Sequence, residues 1–182
     1  MERQHGPWKI LDSREVYHDS FVHVQLDRVI RPDAKAGDHV LIQMKPGVCV
    51  LPMGLNRIVY LTREFHYAIG RYSVEAVSGG IEPTESGSET ARRELSEELG
   101  LEASLWQLIT TIDPFTTIIR SPTQLYLAEG LAEVGTAPEG TEQIEKVAMP
   151  LDQAVALVHN GTITHGPTCV LLMMVDALRP ES

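Results

Sequence analysis

The sequence predicts a mixed α/β fold of the α+β kind, with strands and helices layered in one domain. Three observations predict it: alternating apolar strand-like runs in the first third, one charged segment of helical period near the middle, and two apolar helical patterns at the end. At 182 residues and 43% hydrophobic content the chain is long enough for one well-packed core with a small N-terminal appendage. No block of like charges interrupts it, which argues against disorder.

Val22, Val24 and Leu26 alternate with more polar neighbours, and Val29-Ile30 leads into Arg31-Pro32-Asp33, a strand followed by a turn. Further strands are predicted at residues 39–44, 48–53 and 57–62, separated by the turn signals Lys45-Pro46-Gly47 and Gly54-Leu55-Asn56. Together these runs predict an antiparallel meander. After Tyr72, Ser78-Gly79-Gly80 and Pro83 predict a loop leading into a helix that ends at Leu99-Gly100. Ser86 stands three residues before Glu89, the spacing of a capping box, and Gly100 suits the helix terminus. Ala91, Leu95 and Leu99 recur at i, i+4 and i+8, so one face packs on a sheet while the opposite face is acidic. Strands follow at 108–112 and 124–131, then a polar loop at 133–143 and a strand at 144–149. Pro150 opens a helix over 151–159, and a last helix over 168–178 is stopped by Pro180.

Composition narrows the partners. A net charge of −10 disfavours nucleic-acid binding, because neutralising phosphates requires Lys and Arg. The first residues lack the apolar stretch of a signal peptide, and no run approaches the roughly eighteen apolar residues of a membrane span, so a cytoplasmic protein is expected. Cys49 and Cys169 lie too far apart for a disulfide framework or a zinc spacing and read as small buried apolar residues.

The chemistry lies in residues 79–101, where Gly79, Glu85, Arg93-Glu94-Leu95, Glu97-Glu98 and Gly100-Leu101 stand at fixed spacing. Glu94, Glu97 and Glu98 are three and four apart, so their carboxylates project from one helical face. Like-charge pairs at such spacings cost a helix about 0.2–0.5 kcal/mol each, a penalty that a bound dication removes. Carboxylate oxygens are hard ligands suited to Mg2+ or Mn2+, which bridge to substrate phosphates. Arg93, four residues from both Glu89 and Glu97, can orient the acidic face without supplying a ligand. An isolated acidic helix face is ordinarily solvated surface, and Gly79 and Gly100 also suit a loop and a cap; the complete spacing favours the functional reading.

This segment resembles a Nudix box complete at every position. The resemblance implies an α/β/α sandwich around a mixed sheet, with Glu94, Glu97 and Glu98 as metal ligands, Glu85 as an additional carboxylate and Arg93 as the orienting residue. From about residue 15 to residue 178 the chain is similar to the ADP-ribose pyrophosphatase branch, which also hydrolyses other nucleoside diphosphate sugars. Arg63-Glu64-Phe65-His66-Tyr67 through Glu75-Ala76-Val77-Ser78-Gly79 resembles that branch's arginine-bearing strand and its Glu-x-Pro-Ala-Gly segment. The match implies Arg63, His66 and Glu75 at the substrate and the Ser78 carbonyl on the metal. Pro114 fits a proline that the branch carries beyond the box. Two departures are His66, where the branch has a substrate-binding arginine, and Val77 in place of the proline; the segment Asp113 to Ile118 also differs.

The branch further implies a glutamate from a later loop, acting as general base or extra metal ligand. Glu139, Glu142 and Glu145 occupy that stretch; Glu142 fits best and Glu139 is the reserve. Residues 1–45 resemble the branch's β-rich dimerisation segment, leaving 46–182 as the hydrolase domain, and Phe21 and Tyr17 are candidates to stack on a base across a homodimer. Arg71 and Arg120 are further candidates for phosphate contacts. His23, His66 and His165 show no metal-ligand spacing, and their ordinary roles are packing or a satisfied hydrogen bond. The implied reaction is Mg2+-dependent hydrolysis of ADP-ribose to AMP and ribose 5-phosphate, with Mn2+ as the other metal. Alternatives are GDP-mannose or broad nucleotide-sugar hydrolysis, a non-catalytic nucleotide-sugar sensor, and hydrolysis of nucleoside triphosphates or dinucleoside polyphosphates. The box alone does not separate these, because substrate choice lies in loops outside it.

Overall fold

Val48, Cys49, Val50 and Leu51 are all buried, so the strand that carries them needs an apolar layer on each face. The computed structural model, which describes residues 2–135 and 143–178, supplies both layers. The chain divides into two compact units, Met1–Pro46 with Asp113–Pro122, and Gly47–Ile112 with Thr123–Ser182. The first contains β1 (Arg3–His5), β2 (Trp8–His18), β3 (Val22–Ile30), β4 (Ala36–Met44) and the short β10 (Ile119–Arg120). The second contains β5 (Gly47–Pro52), β6 (Ile58–His66), β7 (Arg71–Glu75), β8 (Val77–Gly80), α1 (Gly87–Leu99), β9 (Leu101–Ile112), β11 (Thr123–Glu133), β12 (Glu145–Pro150), α2 (Leu151–His159) and α3 (Gly166–Ala177).

In the first unit the sheet runs β1-β2-β3-β4-β10, antiparallel except for the parallel β4–β10 pair. In the second unit one sheet runs β8-β5-β11-β9, with β5 and β11 parallel, and a smaller antiparallel sheet runs β12-β6-β7. Strand alternation sorts the side chains of β5 and β11 into two cores. Val48, Val50, Tyr126 and Ala128 pack with Ala91, Leu95 and Leu99 of α1. Cys49, Leu51, Leu125 and Leu127 pack with Leu171, Leu172 and Val175 of α3 and Ala154 and Val155 of α2. Full burial of each Val or Leu stabilises by about 1.5–3 kcal/mol, which fixes the register, since a one-residue slip would exchange the two cores. The result is a mixed, sheet-rich α+β fold with helices on both faces of the central sheet.

The helix of the box forms as its signals require. Ser86 Oγ accepts from Glu89 N at 3.3 Å, and Glu89 Oε2 accepts from Ser86 N at 2.8 Å. At the other end Gly100 takes the left-handed conformation, φ 61°, and donates to Ser96 O at 2.9 Å. Elsewhere the structure corrects the sequence reading. β3 and β4 pair antiparallel, but β5 leaves the meander to join β8 and β11. Residues 78–80, expected as loop, are strand, because their backbone completes the ladder to β5 that two glycines disguise in the sequence. β9 starts directly after the helix cap, and β2 and β7 were unanticipated: β2 is largely exposed, and the residues that β7 buries, Ser73 and Glu75, are polar, so neither strand has an apolar alternation to read. Cys49 is fully buried, and its surroundings push the thiol up to about 12, so it remains a neutral apolar residue; Cys169 is half-buried. Among the described residues, no helix is long and apolar enough to cross a membrane.

Candidate active site

The C-terminal half of α1 and the loop before the helix carry the acidic side chains of the box, and Arg93 gathers them. Its Nε donates to Glu85 Oε1 at 3.0 Å and its Nη2 to Glu85 Oε2 at 3.2 Å, a forked pair. Nη1 donates to Glu97 Oε2 at 2.8 Å and lies 2.9 Å from Glu94 Oε1. Thr90 adds a hydroxyl donor to Glu85 at 2.7 Å. The Arg93 bonds, and then the Thr90 hydroxyl, hold the Glu85 carboxyl below its ordinary pKa, while the bonds to Glu85 and then to Glu97 raise that of Arg93 against its partial burial. One guanidinium facing three carboxylates leaves an excess of negative charge.

Gly79 explains how Glu94 reaches this cluster. A Cβ built on Gly79 would fall inside the Glu94 side chain, so the missing side chain is the cradle in which that carboxylate lies. Gly79 and Ser78 are held by pairing of β8 with Val48 and Cys49 of β5. Ser78 N donates to Glu98 Oε1 at 3.4 Å and Ser78 Oγ to Ala76 O at 2.9 Å. The structure therefore brings Ser78, Glu85, Arg93, Glu94, Glu97 and Glu98 together. Among the described residues no three acidic, histidine or cysteine side chains already form a coordination shell; Glu85, Glu94 and Glu97 are turned onto Arg93. The donors fit a hard divalent cation nonetheless, being carboxylate oxygens in excess over cations beside a glycine that opens the backbone to them.

A second cluster surrounds Glu75, which is only 8% exposed. Its Oε1 lies 3.2 Å from His66 Nε2 and its Oε2 lies 3.1 Å from His165 Nδ1. Ala76, which stands two residues before Ser78, donates its N–H to Thr168 Oγ1 at 2.9 Å, and this ties the cluster to the box. Arg63 is committed elsewhere on β6, donating to Glu145 Oε2 at 2.9 Å and stacking 4.3 Å over the Tyr72 ring. Arg71 donates to Thr164 Oγ1 at 2.9 Å. Phe21, in the turn between β2 and β3, is 66% exposed, and it lies with Pro114 and Arg120 in the first unit rather than in the unit of the box. Glu139 and Glu142 lie outside the described residues. Sequence reasoning gave His165 only a packing or hydrogen-bonding role and did not single out Thr168; the contacts of His165 with Glu75 and of Thr168 with Ala76 N join positions far apart in the chain, which no local spacing signals.

With this geometry, comparison with known proteins is informative. Residues 43–168 match the NUDIX domain model, and residues 8–39 match the model of the nucleoside diphosphate sugar hydrolase N-terminal domain. The chain belongs to the Nudix family and is a Nudix hydrolase of the pyrophosphohydrolase kind. It is 28% identical to a CMP-5'-(N-acetyl-N-hydroxy-3-aminopropyl)phosphonate hydrolase of Streptomyces rubellomurinus, over 88% of this chain and 79% of that one. It is 25% identical to an ADP-ribose pyrophosphatase of Mycobacterium tuberculosis, over 94% and 84%. A crystal structure of an ADP compounds hydrolase superposes with a TM-score of 0.77 at 21% identity, over 92% of this chain and 91% of the other, and so shares the fold.

Proposed function

We propose that this Nudix hydrolase cleaves the diphosphate of nucleoside diphosphate sugars, with ADP-ribose as its main substrate and AMP and ribose 5-phosphate as products. The observation that carries the reading is the Glu94 carboxylate in the Gly79 cradle, within an acidic cluster organised by Arg93. Support for the substrate class comes from the N-terminal match to nucleoside diphosphate sugar hydrolases and from the relatives named as ADP-ribose pyrophosphatases.

Glu94, Glu97 and Glu98, with the Ser78 carbonyl and Glu85 nearby, would hold Mg2+, or Mn2+ in its place. Such a cation, when bound, neutralises diphosphate charge and makes a water more acidic. The chain's own residues do the positioning. Arg93 restrains Glu85 and Glu97 to one side of the helix, and the β5–β8 ladder fixes Ser78 against Glu98. Glu142, with Glu139 in reserve, is the proposed base that takes the proton of the attacking water. His66, Glu75 and Pro114 are proposed at the substrate, Arg63, whose side chain pairs with Glu145, as a further contact, and Phe21 as a residue that reaches the base across a homodimer built through residues 1–45. The relative that acts on a CMP-linked phosphonate supports a wider second reading, in which other nucleotide conjugates are also cleaved.

Product analysis tests the reaction. With ADP-ribose and Mg2+, AMP and ribose 5-phosphate are expected in equal amounts; release of adenosine, or of inorganic phosphate alone, would refute diphosphate cleavage.

A further inference from the structure

Glu75, His165 and Thr168 form a network that the box does not use. A carboxylate only accepts, so the proton between Glu75 Oε2 and His165 Nδ1 sits on the imidazole. Thr168 Oγ1, fully buried, accepts from Ala76 N at 2.9 Å and lies 2.8 Å from the same Nδ1. Both groups therefore fix the ring through one nitrogen, the arrangement in which a second nitrogen is presented to a ligand. Among the described residues Nε2 of His165 has no hydrogen-bond partner, and the side chain is 27% exposed. His66, from β6, occupies the other oxygen of Glu75. Glu75 is thus shared between two imidazoles, and a single carboxylate compensates only one positive charge.

We propose that His165 is a specificity residue, whose Nε2 accepts a hydrogen bond from a hydroxyl of the substrate's sugar. Burial, opposed by Glu75 and reinforced by His66, lowers the pKa of His165, which keeps the imidazole neutral and its Nε2 lone pair available. Thr168 acts through His165 and is a positioning residue, and Glu75, placed at the substrate above, also orients the ring. The ligand class is a polyol carried on a nucleoside diphosphate, and the inference rests on the nucleotide-sugar reading above.

The test compares ADP-ribose with the β-ethyl ester of ADP, which lacks hydroxyls beyond the diphosphate, using the full chain with Mg2+. His165→Phe keeps a ring and removes the acceptor; the preference for ADP-ribose over the ester, as kcat/KM, is expected to fall about three- to tenfold, mainly through KM. His165→Gln, which can return an acceptor near Nε2, should recover part of it. An unchanged preference, or equal losses on both substrates, overturns the proposal and leaves His165 a structural residue. If His165→Phe does not fold, the histidine 15N spectrum of the wild-type protein decides: a non-cleavable ADP-ribose analogue should shift the His165 Nε2 resonance, and no shift overturns the proposal. Failure of the wild-type protein to cleave any nucleotide sugar would overturn both readings, whereas cleavage with an unaffected His165→Phe variant overturns this one alone.

Discussion

At Gly79 a single hydrogen in place of a side chain admits the Glu94 carboxylate to the site. Gly79→Ala should force Glu94 into another rotamer at a cost of about 1–3 kcal/mol in stability. Because misplacement by about 1 Å can cost on the order of a hundredfold in rate, kcat/KM should fall by about that factor while the protein stays folded by circular dichroism. Activity within threefold of wild type would remove the cradle from the account. Arg93→Gln keeps the helix and frees Glu85, Glu94 and Glu97, and kcat/KM should fall about 10–100-fold, the usual effect of losing a group that orients metal ligands. Glu98→Gln should cost on the order of a hundredfold or more, since the charge stabilisation at stake is several kcal/mol. Titration with Mn2+ would separate weakened metal binding from a slower reaction. The box residues were legible in the sequence because one helix and its flanking loop carry them all. Of the second cluster, His66 and Glu75 were reached through the family resemblance, but their meeting with His165 was not, because β6, β7 and the start of α3 assemble it and spacing within the chain carries no trace of it.

At the scale of elements, α1 depends on its caps. Ser86→Ala removes the acceptor for Glu89 N and should cost about 1 kcal/mol in thermal or denaturant unfolding. Its pH dependence has a definite sign. The hydrogen bonds from Ser86 lower the Glu89 pKa in the folded state from the usual 4.5, so their contribution is fully present above that value and is lost as pH falls through the lower folded pKa. The stability difference between wild type and Ser86→Ala should therefore shrink in acid; a difference that grows instead would contradict the capping box. α1 and α2 were readable from local signals, caps and period, whereas the sheet was readable only in pieces. β5 and β11 announce themselves by apolar runs, but their parallel pairing is decided by helices that cover both faces, and β8 is hidden by its glycines.

Across the whole molecule, an acidic chain of net charge −10 is expected to act on a still more acidic substrate. Repulsion of that kind is tolerable only with a cation between the two, so chelation by EDTA should abolish turnover and added Mg2+ or Mn2+ should restore it. The first unit has the N-terminal domain match and exposed Tyr17 and Phe21, which suit a second copy of the chain; light scattering should give twice the 20.1 kDa monomer mass. The central claim, hydrolysis of nucleoside diphosphate sugars by the box carboxylates, is tested most directly by kcat/KM with Mg2+ across ADP-ribose, GDP-mannose, other nucleotide sugars and nucleoside triphosphates. The account predicts that ADP-ribose is cleaved best and that triphosphates are poor substrates. Preference for triphosphates, or no turnover of any compound with either metal, would contradict it.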